Sequence, residues 1–279
     1  MVLSVILDSC VIYPMPLCDT LMRAAEAELY ELHFSQEILD GATRNLIKNG
    51  KMKTAQAAYF QEQIKTNFPY AMVEVPEYLV ARMTNDPGDY HVVAAAIIAK
   101  ARVIVTTNLD DFPVESLAPY EIEAWHPDDF LVYLDEQNPG TMIKIIWEQS
   151  NELKVPKSVP EIIDKLETTN LKRKNRVPKF THTIRCQFYG DVIMQIAKKT
   201  LDKLGKVAPD GGRYYEGKRY SLWQKGEILT ITAKDNRGEI LRFENGEIGG
   251  YLSSADVEAF QRFEKSLEQQ LQEAEIQKS

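Results

Sequence analysis

One stretch of the sequence places acidic residues at both ends of an apolar helix and strand. Residues 85–113 read NDPGDYHVVAAAIIAKARVIVTTNLDDFP: Asp86 and Asp89 precede the alanine-rich helical segment, and Asn108, Asp110 and Asp111 follow the strand-forming run VIVT. A helix followed by a buried strand is half of a βαβ unit, and such units build parallel sheets that bind ligands beyond the carboxyl ends of their strands. The stretch therefore predicts an α/β fold with a polar site at one sheet edge.

The amino-terminal segment supplies a second strand that ends in an acid. Residues 1–7 form the apolar run MVLSVIL, which is too short to cross a membrane and is typical of a central buried strand; Asp8 follows it directly. Aspartate is rarely a core residue, so Asp8 belongs at the sheet edge. We expect Asp8, Asp89 and Asp111 to converge there. Their mutual repulsion calls for a cation, and clustered carboxylate oxygens suit Mg²⁺ or Mn²⁺.

Three segments carry a resemblance to the PIN-domain nucleases, and in particular to the VapC-type toxin ribonucleases of bacteria and archaea. They are LDSCVIYP, DPGDYHVVAAAI and VTTNLDDFP, in that order, and they lie within roughly the first half of the chain. The resemblance implies a three-layer α/β fold around a central parallel sheet. It also implies metal-binding and catalytic roles for Asp8, Asp89 and Asp111, and a supporting polar role for Asn108. Asp86 and Asp110 are further candidates as metal ligands.

The function implied by this resemblance is that of a metal-dependent endoribonuclease that hydrolyses RNA phosphodiester bonds. The toxin families further imply an antitoxin protein as partner and a homodimer as the assembly. The chain is longer than a minimal toxin, so the toxin role is a weaker implication than the nuclease fold.

The sequence departs from the family pattern at one acidic position. The family has a further acid in a stretch like SxxILDE that precedes Arg-Asn-Leu, whereas residues 35–46 read SQEILDGATRNL and place Gly41 there. Glu37, one helical turn earlier, and the adjacent Asp40 are candidates to replace the missing acid. Alternatively, the site has lost an acid, and the chain is a catalytically weakened RNA-binding or assembly module.

Simpler structural roles exist for several of these acids. Asp86 is placed to cap the helix that begins at Pro87, and Glu37 lies in the first turn of a helix capped by Ser35. Asn-x-Asp-Asp is also turn chemistry, which would account for Asp110 and Asp111. A small-molecule phosphotransfer or signalling domain is a further alternative, but no phosphate-cradling glycine-rich loop and no suitably placed lysine support it.

Composition agrees with a soluble globular protein and suggests a cytoplasmic location. The chain of 279 residues is 44% hydrophobic and 27% charged, contains no apolar run of transmembrane length, and lacks a secretory signal at its start. The three cysteines have no metal-binding spacing and fit small, buried, reduced thiols. Residues 1–140 contain 21 acidic and 9 basic side chains. The whole chain contains 41 acidic and 33 basic side chains, so residues 141–279 contain 20 acidic and 24 basic ones.

The rest of the chain divides at polar and basic segments. We predict a nuclease domain over residues 1–134, a helical extension and basic linker over 135–185, and an α+β domain over 186–279. The linker contains the only strong basic run, residues 171–185, with six Lys or Arg and no acid. It is a candidate for holding an RNA backbone, or else a solvated linker. The candidate RNA-binding side chains are Lys172, Arg173, Lys174, Arg176 and Lys179.

In the last domain, Gly-containing turns at short, regular spacing predict an antiparallel meander after a helix over residues 187–204. Tyr214, Tyr215, Tyr220 and Trp223 are either a stacking platform for bases or, as we favour, core residues and cross-strand pairs. In the first domain, residues 70–75 are predicted as a further strand and residues 122–126 as an edge strand.

Overall fold

The computed structural model describes residues 2–12, 15–152, 157–169 and 178–276. It divides into two compact units, Met1–Val177 and Pro178–Ser279. Within the described residues, no helix is long and apolar enough to cross a membrane.

The first unit is built on a four-stranded, fully parallel sheet. Its strands are β1 (Ser4–Leu7), β2 (Glu31–His33), β3 (Val103–Val105) and β4 (Glu123–Trp125), in the spatial order β2-β1-β3-β4. The predicted parallel α/β fold is therefore confirmed. The residues of β3 and the last three of β1 are fully or almost fully buried, as expected for central strands that read as continuous apolar runs.

Within the described residues, the first unit contains ten α-helices. They are α1 (Ser9–Ile12), α2 (Met15–Glu26), α3 (Gln36–Lys48), α4 (Thr54–Asn67), α5 (Glu77–Val80), α6 (Tyr90–Ala99), α7 (Val114–Leu117), α8 (Pro127–Gln137), α9 (Thr141–Glu152) and α10 (Val159–Thr169). Short 3₁₀ helices cover Pro87–Asp89, Leu109–Asp111 and Ala118–Tyr120. The predicted cap of α3 is present, because the Ser35 hydroxyl accepts a hydrogen bond from the Ile38 amide at 3.3 Å.

Residues 70–75 differ from the prediction. They form a single parallel bridge, Phe34 with Met72, instead of a strand. The Phe34 amide donates to the Ala71 carbonyl at 2.9 Å, and the Val73 amide donates to the Phe34 carbonyl at 3.0 Å. The segment lies beside the end of a three-residue strand, and prolines 69 and 76 flank it, so little backbone is left to pair. The predicted edge strand at residues 122–126 is confirmed as β4.

The second unit packs two helices with a six-stranded antiparallel sheet, which confirms the predicted meander. Its elements are α11 (Lys179–Leu204), β5 (Lys206–Val207), β6 (Arg213–Glu216), β7 (Tyr220–Lys225), β8 (Ile228–Ala233), β9 (Gly238–Glu244), β10 (Glu247–Gly250) and α12 (Ser254–Ile276). Strands adjacent in sequence are adjacent in the sheet. The core takes residues from α11, the sheet and α12, beginning with Cys186 and ending with Phe260.

The helix α11 begins earlier than predicted. It starts at Lys179, so residues 179–185, which the sequence places in the basic linker, are helical. Pro178 stands at its N-cap, where the fixed φ of proline is tolerated. The first two turns of this continuous helix therefore lie between two boundaries. One is the division between the compact units at 177/178, and the other is the predicted domain boundary at 185/186.

Candidate active site

The site begins where β1 and β3 end side by side. Leu7 pairs with Val105, so the next residues, Asp8 and Thr106, lie at the same edge of the sheet. Asp8 is only 2% exposed. The Thr106 hydroxyl donates a hydrogen bond of 2.8 Å to Oδ2 of Asp8, and the Cys10 thiol donates to the same oxygen at 3.0 Å. The buried carboxylate is thus fixed by two donors.

Two further acidic segments meet at this edge. The Asp86 amide donates to the Asp111 carbonyl at 3.1 Å, which ties the segment before α6 to the turn after β3. Asp89 is half-buried, and its pKa is raised to about 6 by burial and then by the negative charges of Asp8, Asp111 and Asp86. The structure therefore brings these four aspartates into one electrostatic neighbourhood.

Several of the alternative structural roles are also visible. Oδ1 of Asp86 accepts a hydrogen bond from the Gly88 amide at 2.9 Å, so Asp86 caps the 3₁₀ helix that leads into α6. Asp110 is exposed within the turn Leu109–Asp111. The Asn108 amide donates to the Thr106 hydroxyl at 3.0 Å, and the Asn108 carbonyl accepts from the Asp111 amide at 3.0 Å. Asn108 thus shapes the turn that carries Asp111.

A pocket beside Asp89 contains the position of the missing acid. Its volume is about 410 Å³, and Glu37 and Gly41 line it from α3. A Cβ at Gly41 would lie 3.1 Å from Cβ of Ser9, the residue after Asp8, so a side chain there would project beside the acids. Asp40 points elsewhere: its Oδ1 accepts hydrogen bonds from Gln36 at 2.8 Å and from Gln61 of α4 at 3.0 Å.

Comparison with known families agrees with this geometry. A family model described as "PIN domain" matches residues 4–110, which include Asp8, Asp89 and the strands β1 to β3. We refer to residues 4–110 as the PIN domain because they match this family model. A second family model, described as "VapC50 C-terminal domain", matches residues 127–186.

One curated relative can be aligned with the amino-terminal part of the chain. It is named "Putative ribonuclease VapC50", from Mycobacterium tuberculosis, and is 39% identical over 111 residues, which is 39% of this chain. The alignment spans 62% of that relative's own length. No solved structure matches the chain.

The PIN domain places other polar side chains at the site that the sequence analysis did not single out. Thr106 and Cys10 hold Asp8, as described above. Arg44 and His91 line the pocket beside Asp89. Burial lowers the pKa of His91, against the attraction of Asp8 and Glu37, and Arg44 lowers it further. Cys10, His91 and Thr106 lie inside the three motif segments, and Arg44 does not. For those three residues, their place in a motif was the sequence feature that could have indicated a role at the site.

The three cysteines are free, as expected. Cys18 and Cys186 are buried, which fits their prediction as small hydrophobic residues. Cys10 differs, because its sulfur also accepts hydrogen bonds from the amide and hydroxyl of Thr107. Burial and the neighbouring Asp8 charge raise the pKa of the Cys10 thiol to about 12, so it remains a neutral donor to Asp8.

The donor set of the PIN domain suits a hard divalent cation. Carboxylate oxygens from Asp8, Asp89 and Asp111 are the ligand type that Mg²⁺ and Mn²⁺ prefer, and Asp89 also lines the pocket that contains Gly41. Within the described ranges, no three His, Cys, Asp or Glu groups form a ready-made metal cage.

The structure does not describe most of the candidate RNA-binding run. Lys172, Arg173, Lys174 and Arg176 lie outside the described residues. Lys179 is exposed in the first turn of α11.

Proposed function

We propose that this chain is a metal-dependent endoribonuclease whose PIN domain hydrolyses RNA phosphodiester bonds. The observation that carries the proposal is the gathering of Asp8, Asp86 and Asp111 around the half-buried Asp89. Burial and then these three negative charges raise the pKa of Asp89 to about 6. Carboxylates that disfavour one another's ionisation cost stability unless a cation or a proton offsets their charge, and such arrangements are concentrated at functional sites. The PIN match and the name of the curated relative support the same class of activity.

In this proposal Asp8, Asp89 and Asp111 hold one or two Mg²⁺ or Mn²⁺ ions and form the catalytic set. A bound divalent ion supplies Lewis-acid stabilisation of charge on the phosphate and lowers the pKa of water. The chain's own contribution is positional. Thr106 and Cys10 keep the Asp8 carboxylate in one orientation, and the hydrogen-bonded turn at Asn108 presents Asp111 beside it.

The remaining acids differ in how well their surroundings suit a role as metal ligands. Asp86 caps the helix and adds negative charge, Asp110 is an exposed neighbour, and Glu37 lines the pocket that Gly41 leaves open. Asp40 is the weakest candidate ligand, because Gln36 and Gln61 already occupy its carboxylate. The basic side chains at residues 172–179 remain proposed contacts to the RNA backbone.

The biological setting is proposed by analogy with the VapC-named matches. It comprises RNA as substrate, the toxin role in a toxin–antitoxin pair, an antitoxin protein as partner, a homodimer and a cytoplasmic location. We also keep as a proposal the division into domains at 1–134, 135–185 and 186–279.

A second candidate function follows from Gly41. The PIN domain has a glycine where the family pattern has an acid, so a catalytically weakened RNA-binding or assembly module is the alternative. Such a module would bind Mn²⁺ weakly and leave RNA intact.

The test is cleavage of a mixed RNA pool by the full chain in Mg²⁺, Mn²⁺ or EDTA. Wild type is compared with Asp8→Asn and Asp111→Asn, and with Asp191→Asn as a matched control, because Asp191 is exposed on α11 outside the PIN domain. We expect metal-dependent cleavage that both site variants lose, by on the order of a hundredfold or more, and that the control keeps.

Asp8 is buried and hydrogen-bonded, so thermal unfolding of each variant must accompany the assay. Asp111 is only half-buried, which makes it the variant that tests chemistry with the least risk to folding. Intact RNA after incubation with well-folded wild type in both metals would reject the nuclease in favour of the binding module.

A further inference from the structure

The second unit contains a cleft that neither family match covers. It lies between the β6–β7 hairpin and α12 and has a volume of about 470 Å³. This volume falls within the range of about 300–1,000 Å³ that is usual for ligand pockets. Both family matches end at or before residue 186, so the cleft belongs to a part of the chain without an assigned role.

The walls of the cleft are aromatic. Tyr220 stacks on Phe260 with ring centroids 4.8 Å apart, and Tyr215 lies 6.1 Å from Phe263. Tyr215, Tyr220 and Phe263 are half-buried: they pack against the core, as the sequence analysis favoured, while part of each side chain remains accessible in the cleft.

The position of Tyr220 is held by the protein itself. Its hydroxyl donates a hydrogen bond of 2.7 Å to Asp256, a fully buried carboxylate. Asp256 in turn accepts two hydrogen bonds from Arg237, at 2.7 and 2.8 Å. The ring is therefore oriented before any ligand arrives, which reduces the entropy that binding would cost.

The turn at one end of the cleft is cationic. Lys218 and Arg219 are exposed, and within the part of the chain that the structure describes their side chains form no hydrogen bond or ion pair. The Arg219 guanidinium lies 6.0 Å from the centroid of the Tyr220 ring, so it is already beside one of the aromatic walls. The nearby carboxylates are already engaged, Glu216 with Lys234 and Asp235 with Arg237. A smaller depression of about 190 Å³ continues beyond Lys218 and Arg219. Lys218 and Arg219 thus line both pockets and, among the described residues, have no carboxylate partner.

We propose that this cleft binds single-stranded RNA. Aromatic faces beside a positively charged groove are the combination that binds single-stranded nucleic acid, because bases stack on the rings while the cations contact the backbone. A base would lie against Tyr215, Tyr220 and Phe263, and the flanking phosphates would contact Lys218 and Arg219. The choice of RNA over DNA rests on the proposed function of the PIN domain. Binding itself does not require that the PIN domain cleave.

The first test measures binding of a short, unstructured, fluorescein-labelled oligoribonucleotide to the full chain by fluorescence anisotropy. All proteins carry Asp8→Asn and EDTA is present, so the RNA stays intact. The test variant is Lys218→Glu/Arg219→Glu. The control is Lys203→Glu/Lys206→Glu, two exposed lysines of the same unit with the same change in net charge. We expect Kd to rise by on the order of tenfold for the cleft pair and by less than about twofold for the control.

The second test asks whether bases contribute. Wild-type affinity for an abasic ribose-phosphate oligomer should be weaker than for the parent RNA by about tenfold. That difference should shrink in Phe263→Leu, which keeps an apolar side chain but removes the ring. Unchanged thermal unfolding of each variant shows that the fold is intact.

Site-specific photo-crosslinking of RNA containing 4-thiouridine locates the contact. Crosslinks are expected within residues 213–222 or 259–266. Crosslinks confined to residues 4–110, or full affinity after the charge reversal, would overturn the proposal. Equal affinity for single-stranded DNA would overturn the choice of RNA. An acidic peptide that occupies the cleft where RNA does not bind would overturn the ligand class.

The two proposals fail in distinguishable ways. Protein that binds RNA through the cleft but never cleaves it contradicts only the nuclease. Protein that cleaves RNA but binds it normally after the Lys218→Glu/Arg219→Glu change contradicts only the cleft.

Discussion

Among the single residues, Asp89 is the acid of the site whose ionisation is opposed by burial and by the neighbouring aspartates. Its folded-state pKa of about 6 lies above the ordinary aspartate value of about 3.9. A raised pKa means that Asp89 favours folding while it is protonated. That contribution is fully present below about pH 3.9 and is lost as the pH rises through about 6.

Asp89→Asn should therefore stabilise the metal-free protein at pH 7.5. We expect a gain of roughly 1 kcal/mol in the free energy of unfolding, because much of the shift is screened at a half-exposed side chain. The gain should fade toward pH 4. Denaturant titrations at both pH values, with Asp191→Asn as control, measure it. Added Mn²⁺ should stabilise wild type and not the variant, and equal destabilisation by Asp89→Asn at every pH would contradict the prediction.

Glu37 and Asp40 both precede Gly41, the glycine at the position of the usual acid. The structure gives the two carboxylates different surroundings. Glu37 lines the pocket beside Asp89, and the structure records no hydrogen bond or ion pair of its carboxylate among the described residues. Asp40 is hydrogen-bonded to two glutamines on the other side of α3. We therefore expect Glu37→Gln to weaken Mn²⁺ binding by about tenfold in calorimetry, and Asp40→Asn to leave it unchanged.

Restoring an acid at position 41 provides the complementary change. Since a Cβ at Gly41 would come within 3.1 Å of Ser9, the substitution Gly41→Glu should be combined with Ser9→Gly. Introduced together with Glu37→Gln, this pair should recover the Mn²⁺ affinity. If Asp40→Asn weakened binding as much as Glu37→Gln, the assignment of Glu37 would be wrong.

At the scale of elements, Asp256 joins three parts of the second unit. It lies in the first turn of α12 and accepts hydrogen bonds from Ser253, from Tyr220 of β7 and from Arg237 in the turn between β8 and β9. Burial alone would raise the pKa of this carboxyl, but the hydrogen bonds outweigh it and hold the pKa well below its usual range. Its stabilisation is present above the ordinary aspartate pKa and is lost only as the pH falls through the lowered value.

Asp256→Asn should accordingly cost about 2 kcal/mol in unfolding free energy, since it leaves Arg237 without its buried partner. We expect a smaller loss of unfolding free energy than for a fully buried ion pair, because the Arg237 side chain is 37% exposed. Urea unfolding at pH 7 provides the measurement. Glu258→Gln, two residues further along α12 and exposed, is the control and should change stability by less than about 0.5 kcal/mol. If both substitutions lowered the unfolding free energy equally, Asp256 would contribute no more to stability than an exposed acid of the same helix.

At the scale of the whole molecule, the position of the domain boundary is open to test. The contact-based division falls at 177/178, but the core of the second unit begins at Cys186 and the second family match ends at residue 186. We expect a fragment of residues 186–279 to unfold cooperatively by circular dichroism, because it retains every member of that core. Cooperative unfolding of residues 178–279 together with a disordered 186–279 would instead favour the boundary at 177/178.

Local sequence patterns were sufficient to predict several elements of this protein. Apolar runs ending in acids predicted the parallel strands and their polar edge, Ser35 and Asp86 were recognisable as caps, and regularly spaced Gly-containing turns predicted the meander. Local sequence patterns predicted the wrong secondary structure where the result depends on the segment that pairs with the strand. Residues 70–75 have strand-like composition, yet they make a single bridge because a three-residue neighbour offers little to pair with. The helix α11 also extends through the basic residues read as a linker.

The packing of distant segments sets which side chains face one another. Glu37 and Asp40 are equally plausible substitutes for the missing acid in the sequence, and the packing of α3 against α4 separates them. Thr106 and Cys10 became supports of Asp8 because β1 and β3 end side by side. The cleft with Lys218 and Arg219 exists because α12 returns to the β6–β7 hairpin. Periodicity specifies the face of an element, but contacts between distant segments arise only when the elements pack.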